Sequence, residues 1–258
     1  SEAIDFARYY ADRAEELDPS AGHLVTDGAA VTPGRLTLVT PPWNFPVAIP
    51  IGGVLAALAL GSAVIIKPAG AVPGCTETAV EALHAAGVPA DVLQAIRTGE
   101  RETGRHLVEH PDVDTVILTG AAETGELFTS WRHGRAGGPR VFGETSGKNA
   151  LVITPAADYD LAVSDLVRSA FGHAGQKCSA ASLAILVGSA GTSERLRRQL
   201  IDAVTSVRVA WPEDLGAIMG PVITEPEGKL RRALTSLEEG ESWLVEPRQL
   251  DDTGRLWS

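Results

Sequence analysis

The residues best suited to covalent chemistry are a cysteine and a glutamate, each in a short glycine-flanked segment. Cys178 lies in Gly175-Gln176-Lys177-Cys178-Ser179-Ala180, and Glu144 lies in Gly143-Glu144-Thr145-Ser146-Gly147-Lys148. A thiolate can carry an acyl group as a thioester, and a carboxylate can activate the water that hydrolyses it. The pair therefore predicts a covalent thioester mechanism. A buried structural cysteine and a surface glutamate in a glycine loop are the alternatives.

The composition narrows the class of protein that can carry this chemistry. The chain has 258 residues, of which 44% are hydrophobic and 21% charged, as in ordinary globular domains. A net charge of -11 argues against a nucleic-acid partner and against an anionic membrane surface. The longest apolar stretch, 47–60, is interrupted by Pro50, Gly52 and Gly53 and falls short of the about 20 residues that span a bilayer. We expect no membrane span.

Cysteine and histidine usage indicates the compartment and the absence of a metal centre. Two cysteines, Cys75 and Cys178, do not form a disulfide framework, so a reducing, cytoplasmic location is expected. Residues 1–5 have neither a basic start nor an apolar run, and no secretory signal is predicted from them. The histidines nearest the motifs, His133 and His173, are not part of a cluster with metal-ligand spacing, and no metal is predicted.

The elements that must position these residues alternate between strand and helix with short connections. Such alternation predicts a doubly wound α/β fold with a mostly parallel sheet. Gly87 suits the position after a helix C-terminus. The predicted strands are 35–40, 63–67, 92–96, 113–119, 150–153 and 182–187. The predicted helices are 2–17, 47–60, 76–86, 104–109, 123–131, 159–173 and 194–207.

Five motifs together resemble the aldehyde dehydrogenase superfamily, in that family's order and at its approximate spacing. They are Pro42-Trp43-Asn44-Phe45-Pro46, Ile66-Lys67-Pro68-Ala69, Thr119 to Gly125, Gly143 to Lys148, and Gly175-Gln176-Lys177-Cys178. The resemblance implies a Rossmann-type doubly wound sheet plus a partial α/β catalytic domain. It places a dinucleotide-binding domain at 1–143 and a catalytic domain at 144–258. The glycine-rich stretch 132–139 is the best linker in the sequence and falls between these two halves.

A narrower resemblance concerns the reaction. Residues 2–11 and Cys178-Ser179-Ala180 resemble the Δ1-pyrroline-5-carboxylate dehydrogenases, including the forms fused to proline dehydrogenase. This implies NAD(P)-dependent oxidation of L-glutamate γ-semialdehyde to L-glutamate in proline catabolism. The implied partners are a small-molecule aldehyde, a homo-oligomeric parent protein, and fusion to or coupling with proline dehydrogenase. Because the chain lacks the family's N-terminal portion and later Glu-Phe-Gly-Pro-like segment, it is expected to be a fragment.

The resemblance assigns three catalytic residues. Cys178 is the nucleophile, and Glu144 is the general base that activates water against the thioester. Asn44 stabilises the oxyanion through its side-chain NH₂, together with the backbone N–H of Cys178. A turn asparagine between Trp43 and Phe45 is the alternative for Asn44.

The resemblance also assigns cofactor contacts. Lys67 is expected at the adenosine ribose, with a strand-end lysine that reaches solvent as the alternative. Thr119-Gly120 and Gly125 are expected near the pyrophosphate, since small residues and a helix N-terminus suit phosphate. Gly70 stands where many members have an acidic residue, so NAD is preferred by subgroup resemblance alone and NADP stays open. The full cofactor-binding set is Pro42, Trp43, Lys67, Ala69, Gly104, Thr119, Gly120, Ala121 and Gly125.

Substrate contacts are expected from Ser179 and Phe45. A hydroxyl at Ser179, beside the nucleophile, suits the carboxylate of glutamate semialdehyde, and a small residue near a helix is the alternative. Three other functions remain open. They are another semialdehyde dehydrogenase, such as one for succinate semialdehyde, a catalytically inactive structural domain, and a cysteine hydrolase. The hydrolase would need a histidine partner for the thiol, and no motif supplies one.

Overall fold

The chain forms two compact units, 1–146 and 147–258. The computed structural model describes residues 2–16, 33–99, 101–132 and 138–258. Among these residues, no helix combines the length and the apolar character needed to cross a bilayer.

The first unit alternates strands and helices, as the sequence predicts. Its strands are β1 (Leu36–Thr40), β2 (Ala63–Ile66), β3 (Leu93–Ala95), β4 (Thr115–Gly120) and β5 (Arg140–Thr145). Its helices are α1 (Glu2–Glu16), α2 (Ala48–Ala59), α3 (Pro73–Ala85), α4 (Arg101–Glu109) and α5 (Ala122–Arg132). Gly87 follows α3 with a φ of +108°, a backbone conformation that glycine adopts without strain, which confirms its predicted place.

The five strands form one parallel sheet in the order β3-β2-β1-β4-β5. The strand order reverses between β1 and β4, so the loops after these strands diverge to opposite faces. In open α/β sheets the crevice at the carboxyl ends of the strands, at this switch point, is where ligands bind. The predicted doubly wound architecture is therefore confirmed.

Neighbouring residues of β1 face opposite sides of the sheet and enter different cores. Val39 packs with Val54 and Ala57 of α2 and with Val80 of α3. Leu38 packs with residues of α4 and α5 on the other face, among them Val108 and Phe128. Side chains alternate along a strand, so an uninterrupted apolar run such as 63–66 in β2 requires helices on both faces.

Two glycines in α2 let the helix lie close to its neighbours on two sides. A Cβ at Gly52 would come within 3.1 Å of the Phe6 ring of α1, and one at Gly53 within 3.0 Å of Val39 Cγ1 in β1. Glycine in a helix interior costs about 0.8–1.0 kcal/mol relative to alanine. The close approach of α1 and of the sheet explains why glycine occupies both positions despite that cost.

The structure differs from the sequence-based prediction at several elements. β5 was not predicted, because Arg140-Val141-Phe142-Gly143-Glu144-Thr145 combines a glycine with charged residues that disfavour strands. The strand forms because β4 supplies its full hydrogen-bonded partner. The predicted linker, 132–139, precedes β5, and its residues 133–137 lie outside the described residues. β5 itself lies within the first unit, 1–146. α3 begins at Pro73, three residues earlier than predicted, since proline suits the first helical position.

The second unit contains a parallel strand pair with helices packed against it. Its elements are β6 (Ala150–Ile153), α6 (Tyr159–Phe171), β7 (Leu183–Leu186), α7 (Glu194–Thr205) and α8 (Gly228–Thr235), of which α8 was not predicted. Ile153 of β6, Val163 and Leu166 of α6 and Leu196 of α7 form its core. Asp158 and Ser193 cap α6 and α7 with side-chain oxygens that accept backbone N–H groups.

Candidate active site

Cys178 lies in the second unit, in the segment between α6 and β7. It is exposed and is not part of a disulfide. The chain reaches it through a left-handed turn in which His173, Ala174 and Gly175 have φ values of 59°, 54° and 69°. Left-handed backbone costs roughly 1–2 kcal/mol for a residue with a Cβ. Such strain persists only where the surrounding contacts hold the backbone, so the contacts of this segment matter to its geometry.

Gln176 holds the segment just before the cysteine. Its side-chain carbonyl accepts the N–H of Ile223 at 2.8 Å, and its NH₂ donates to the carbonyls of His173 at 3.1 Å and Pro221 at 3.3 Å. One amide side chain thus joins the left-handed turn to a segment of irregular backbone 47 residues further along the chain.

Asn149 holds the segment at and after the cysteine. Its NH₂ donates to the carbonyl of Cys178 at 2.5 Å and to that of Ala180 at 3.1 Å. The N–H of Ala181 donates to Ser169 Oγ of α6 at 3.2 Å. Gln176 and Asn149 are not among the predicted site residues, although Gln176 lies inside the motif of Cys178 and Asn149 directly follows the motif of Glu144. A side-chain amide in or beside such a motif was the available signal. Ser179, the predicted substrate contact, is exposed.

Asn44 lies in the first unit, in the loop that leaves the carboxyl end of β1. The residue is half-buried. The loop is tied to α3 because the buried Thr76 hydroxyl donates to the carbonyl of Pro46 at 3.4 Å. Thr76 was missed by sequence reasoning, since a helix threonine gives no local sign of a partner 30 residues earlier. Pro42, Trp43 and Phe45 lie in the same loop and are also half-buried.

Lys67, Ala69 and Gly104 follow the next two strands. Lys67 comes directly after β2, and its backbone N–H donates to the carbonyl of Val39 at 2.9 Å, which extends the pairing with β1. Gly104 lies in α4, after β3, and a Cβ added there would meet no atom within 4 Å. The same is true of Gly70 and Gly99, so this part of the edge leaves the backbone accessible.

Thr119 and Gly120 end β4, and α5 begins two residues later. The first N–H of α5, that of Ala122, donates to Ser146 Oγ at 3.2 Å, while the Ser146 N–H donates to the carbonyl of Gly120 at 3.0 Å. Ala121 has no side-chain acceptor, and Ser146 takes the capping role in its place. A Cβ at Gly125 would come within 3.1 Å of Thr145 Cγ2, so packing of α5 against β5 accounts for this glycine.

Glu144 lies on β5, beside Thr119 of β4 in the strand register, and is exposed. The expectation of a glycine loop at this position is wrong: the residue belongs to the edge strand. An open groove of about 740 Å³ runs between α5 and β5, and Gly125, Glu126, Gly143 and Thr145 are among the residues that line it.

Three carboxylates with a lowered pKa belong to ion pairs that tie elements together. A side-chain hydrogen bond from Arg97 lowers the pKa of Glu77, and one from Arg35 lowers that of Asp114. In the second unit, hydrogen bonds from Gln199 and then Arg195 lower the pKa of Asp160. Among the described residues, no group of three or more His, Cys, Asp or Glu side chains is placed to hold a metal ion.

Residues from four strands or the loops that follow them thus meet at one edge of the first unit's sheet: Asn44 after β1, Lys67 after β2, Thr119 on β4 and Glu144 on β5. This edge suits a dinucleotide, because it combines a cationic side chain, the N-terminus of α5 and glycines with open space around them. Cys178 and Ser179 belong to the second unit.

Comparison with known proteins is consistent with this arrangement. The aldehyde dehydrogenase family profile matches residues 1–246. The chain is 35% identical, over 93% of its length, to the 1-pyrroline-5-carboxylate dehydrogenase of Geobacillus thermodenitrificans, of which it covers 47%. It is 34% identical to the 1-pyrroline-5-carboxylate dehydrogenase 2 of Bacillus subtilis, with the same coverage. The chain therefore spans about half the length of the curated relatives it matches.

The chain is also similar in structure to solved proteins. Proline utilization A (PutA) from Corynebacterium freiburgense matches the whole chain at 52% identity with a TM-score of 0.89, and the match covers 25% of that protein. The 1-pyrroline-5-carboxylate dehydrogenase from Thermus with bound NAD matches 86% of the chain at 34% identity with a TM-score of 0.77, over 44% of its own length.

Proposed function

This chain belongs to the aldehyde dehydrogenase family, and from that membership we propose that the protein oxidises L-glutamate γ-semialdehyde to L-glutamate with NAD as the hydride acceptor. The observation that carries the proposal is the common edge of the first unit's sheet. Asn44, Lys67 and Glu144, to which the family motifs give three different roles, all lie at the carboxyl ends of parallel strands there.

The first unit is the proposed dinucleotide-binding domain. Lys67 would donate to the adenosine ribose, and the α5 N-terminus and the backbone of Thr119 and Gly120 would face the pyrophosphate. Ser146 accepts the Ala122 N–H, and the Ala121 carbonyl accepts those of Thr124 and Gly125, so a pyrophosphate would compete with these contacts for the donors of this turn. NAD is proposed over NADP because the relatives of similar sequence include a dehydrogenase solved with NAD.

The proposed first step is addition of the Cys178 thiolate to the aldehyde carbon. An S–C bond forms, and the carbonyl oxygen becomes an oxyanion. The Asn44 NH₂ and the Cys178 N–H stabilise that charge, a contribution worth about 2.7–4 kcal/mol per donor in comparable sites. A bound nicotinamide would supply the hydride acceptor, and loss of hydride from the same carbon would leave a thioester on Cys178.

The proposed second step is hydrolysis of the thioester. Glu144 takes a proton from water as the water oxygen bonds to the acyl carbon. The C–S bond then breaks, which releases the carboxylic acid and returns the Cys178 thiolate, and the proton of the acid and the proton held by Glu144 pass to solvent. Exposure of Glu144 on an edge strand is compatible with access to water.

The proposed substrate follows from the names of the relatives and from Ser179. Several relatives are named 1-pyrroline-5-carboxylate dehydrogenases, and the Ser179 hydroxyl would bind the substrate carboxylate beside the nucleophile, with Phe45 as an apolar wall. Homo-oligomerisation and fusion to or coupling with proline dehydrogenase are further proposals, the latter supported by the likeness to PutA.

The test measures NADH formation from glutamate semialdehyde and NAD by the protein and by its Cys178→Ala variant. Parallel measurements replace glutamate semialdehyde with succinate semialdehyde, or NAD with NADP. We expect turnover with glutamate semialdehyde and NAD, and none detectable in Cys178→Ala. A Cys75→Ala variant is the matched control, because Cys75 is also an exposed free cysteine but lies in α3. If the protein prefers succinate semialdehyde, the proposed substrate is wrong. If it reduces neither NAD nor NADP, the proposed function is refuted.

A further inference from the structure

We propose that Asn149 is a positioning residue for the nucleophile: its side-chain amide fixes the peptide groups that follow Cys178. This inference rests on the proposed function, in which Cys178 is both nucleophile and oxyanion donor. It concerns contacts inside the second unit only.

The side-chain NH₂ of Asn149 donates hydrogen bonds to two backbone carbonyl oxygens. The Asn149 NH₂ has two protons, and it lies 2.5 Å from the Cys178 carbonyl oxygen and 3.1 Å from that of Ala180. An amide nitrogen has two donor hydrogens and no acceptor capacity, so both are used by the cysteine segment. The two bonds fix the orientation of the peptide that leaves Cys178 and of the peptide two residues later.

The backbone of Asn149 adds to the same restraint. Its carbonyl accepts the N–H groups of Ser182 at 3.0 Å and Leu183 at 3.2 Å, at the start of β7. The side chain and main chain of one residue therefore bind the cysteine segment from 178 to 183. Asn149 itself directly precedes β6, which pairs in parallel with β7, so this anchor is part of the sheet.

The restraint matters because the preceding turn is strained. His173 and Ala174 have left-handed backbones, which relax unless neighbouring contacts prevent it. Gln176 fixes the segment on the turn side of Cys178 and Asn149 on the strand side. The nucleophile thus lies between two side-chain amides, and loss of either would let its N–H and thiol move from the positions that catalysis requires.

Two substitutions distinguish a donor role from simple packing. Asn149→Asp keeps the shape but places one carboxylate oxygen, in the position of the amide nitrogen, against two carbonyl oxygens, whereas Asn149→Ala removes the group. A donor role makes the aspartate variant the more damaging of the two, because repulsion is added to the lost bonds. A packing role gives the opposite order, since aspartate fills the same space and alanine does not.

The experiment uses the full chain with Cys75→Ser, so that Cys178 is the sole thiol and can be titrated by alkylation. Hydrogen exchange of the amides in 178–183 is measured without substrate. We expect exchange about tenfold faster in Asn149→Ala and faster still in Asn149→Asp. With glutamate semialdehyde and NAD, kcat per titrated Cys178 should fall about tenfold in Asn149→Ala and about 100-fold in Asn149→Asp, while KM changes less than about twofold.

Ser193→Ala is the matched control. Its hydroxyl caps α7 by accepting the Leu196 N–H at 3.2 Å, so its loss destabilises the same unit without touching the cysteine segment. It should lower Tm and leave both kcat per titrated thiol and exchange of 178–183 unchanged. An alanine variant more damaged than the aspartate variant, or unchanged exchange in both, would overturn the positioning role. If no variant forms NADH but the exchange order holds, the proposed function fails and the positioning role stands.

Discussion

Glu144 and Cys178 act, in the proposed mechanism, on successive halves of one reaction, and this separates their kinetic signatures. In Glu144→Gln the thiol still adds to the aldehyde, but water loses its proton acceptor. We expect a rapid burst of about one NADH per titrated Cys178 followed by turnover reduced about 10²–10⁴-fold, as is typical when general-base catalysis is removed. Rapid-mixing measurement of NADH absorbance would record both phases.

The control at this scale is Glu81→Gln, an exposed glutamate on α3 whose loss should change neither phase. A Glu144→Gln variant with no burst would assign Glu144 to the first half-reaction or to folding.

At the scale of single residues, a motif identifies residue types but not the groups that those residues contact. Gln176 lies in the same motif as Cys178 and Asn149 directly follows the motif of Glu144, yet the contacts of both depend on carbonyl groups that no motif specifies.

At the scale of elements, two helix glycines that look alike in the sequence have different surroundings. A Cβ at Gly125 would lie 3.1 Å from Thr145 Cγ2, so Gly125→Ala must push α5 away from β5, and overpacking of this kind costs about 1–3 kcal/mol. Gly104 in α4 has open space, so Gly104→Ala should stabilise the fold by about 0.5–1 kcal/mol. Thermal unfolding of the two variants should show Tm shifts of opposite sign.

The Gly104→Ala and Gly125→Ala variants also test the predicted cofactor contacts. If the dinucleotide approaches the backbone at Gly104, its alanine variant should bind NAD more weakly although it is more stable, as measured by calorimetric titration. Gly74→Ala is the matched control, because this α3 glycine also has no atom within 4 Å of an added Cβ and is not a predicted contact. Equal NAD affinity in all three variants would remove Gly104 from the cofactor site.

At the scale of the whole molecule, an ion pair at the amino edge of the first sheet makes stability depend on pH. Asp114 Oδ2 accepts the Arg35 N–H at 2.6 Å, and Oδ1 accepts from the guanidinium at 3.1 Å. These bonds hold the pKa of Asp114 below its usual value. The folded state thus binds this proton less tightly than the unfolded chain does. Its contribution is complete above the unfolded pKa and is lost as pH falls through the folded pKa.

We therefore expect Asp114→Asn to lower Tm by a few degrees at neutral pH. The difference from the unsubstituted protein should shrink as pH falls below about 4, where the carboxylate of the unsubstituted protein is increasingly protonated. Asp91→Asn, at an exposed turn residue, is the control and should show no such pH-dependent difference. A Tm difference for Asp114→Asn that stays constant across this pH range would show that the charge is not what stabilises the sheet edge.

The sequence by itself determined the type and order of most elements and the family to which the chain belongs. Apolar periodicity and turn residues act within about ten residues, so strands such as β1 and β6 and the glycine after α3 are visible without the fold. The motifs likewise carry their residue types in short, contiguous stretches. The α/β class follows from the alternation of these local signals.

Only the tertiary structure decided which of these residues hold one another. β5 forms because β4 lies beside it, and Gly125 is explained by a methyl group of β5. Asn149 reaches a carbonyl 29 residues later in the chain, and Gln176 reaches an N–H 47 residues later. Hydrogen-bond partners this far apart are set by how the strands order and the helices pack. A local pattern shows that a side chain can donate, whereas the fold determines which acceptor lies within reach.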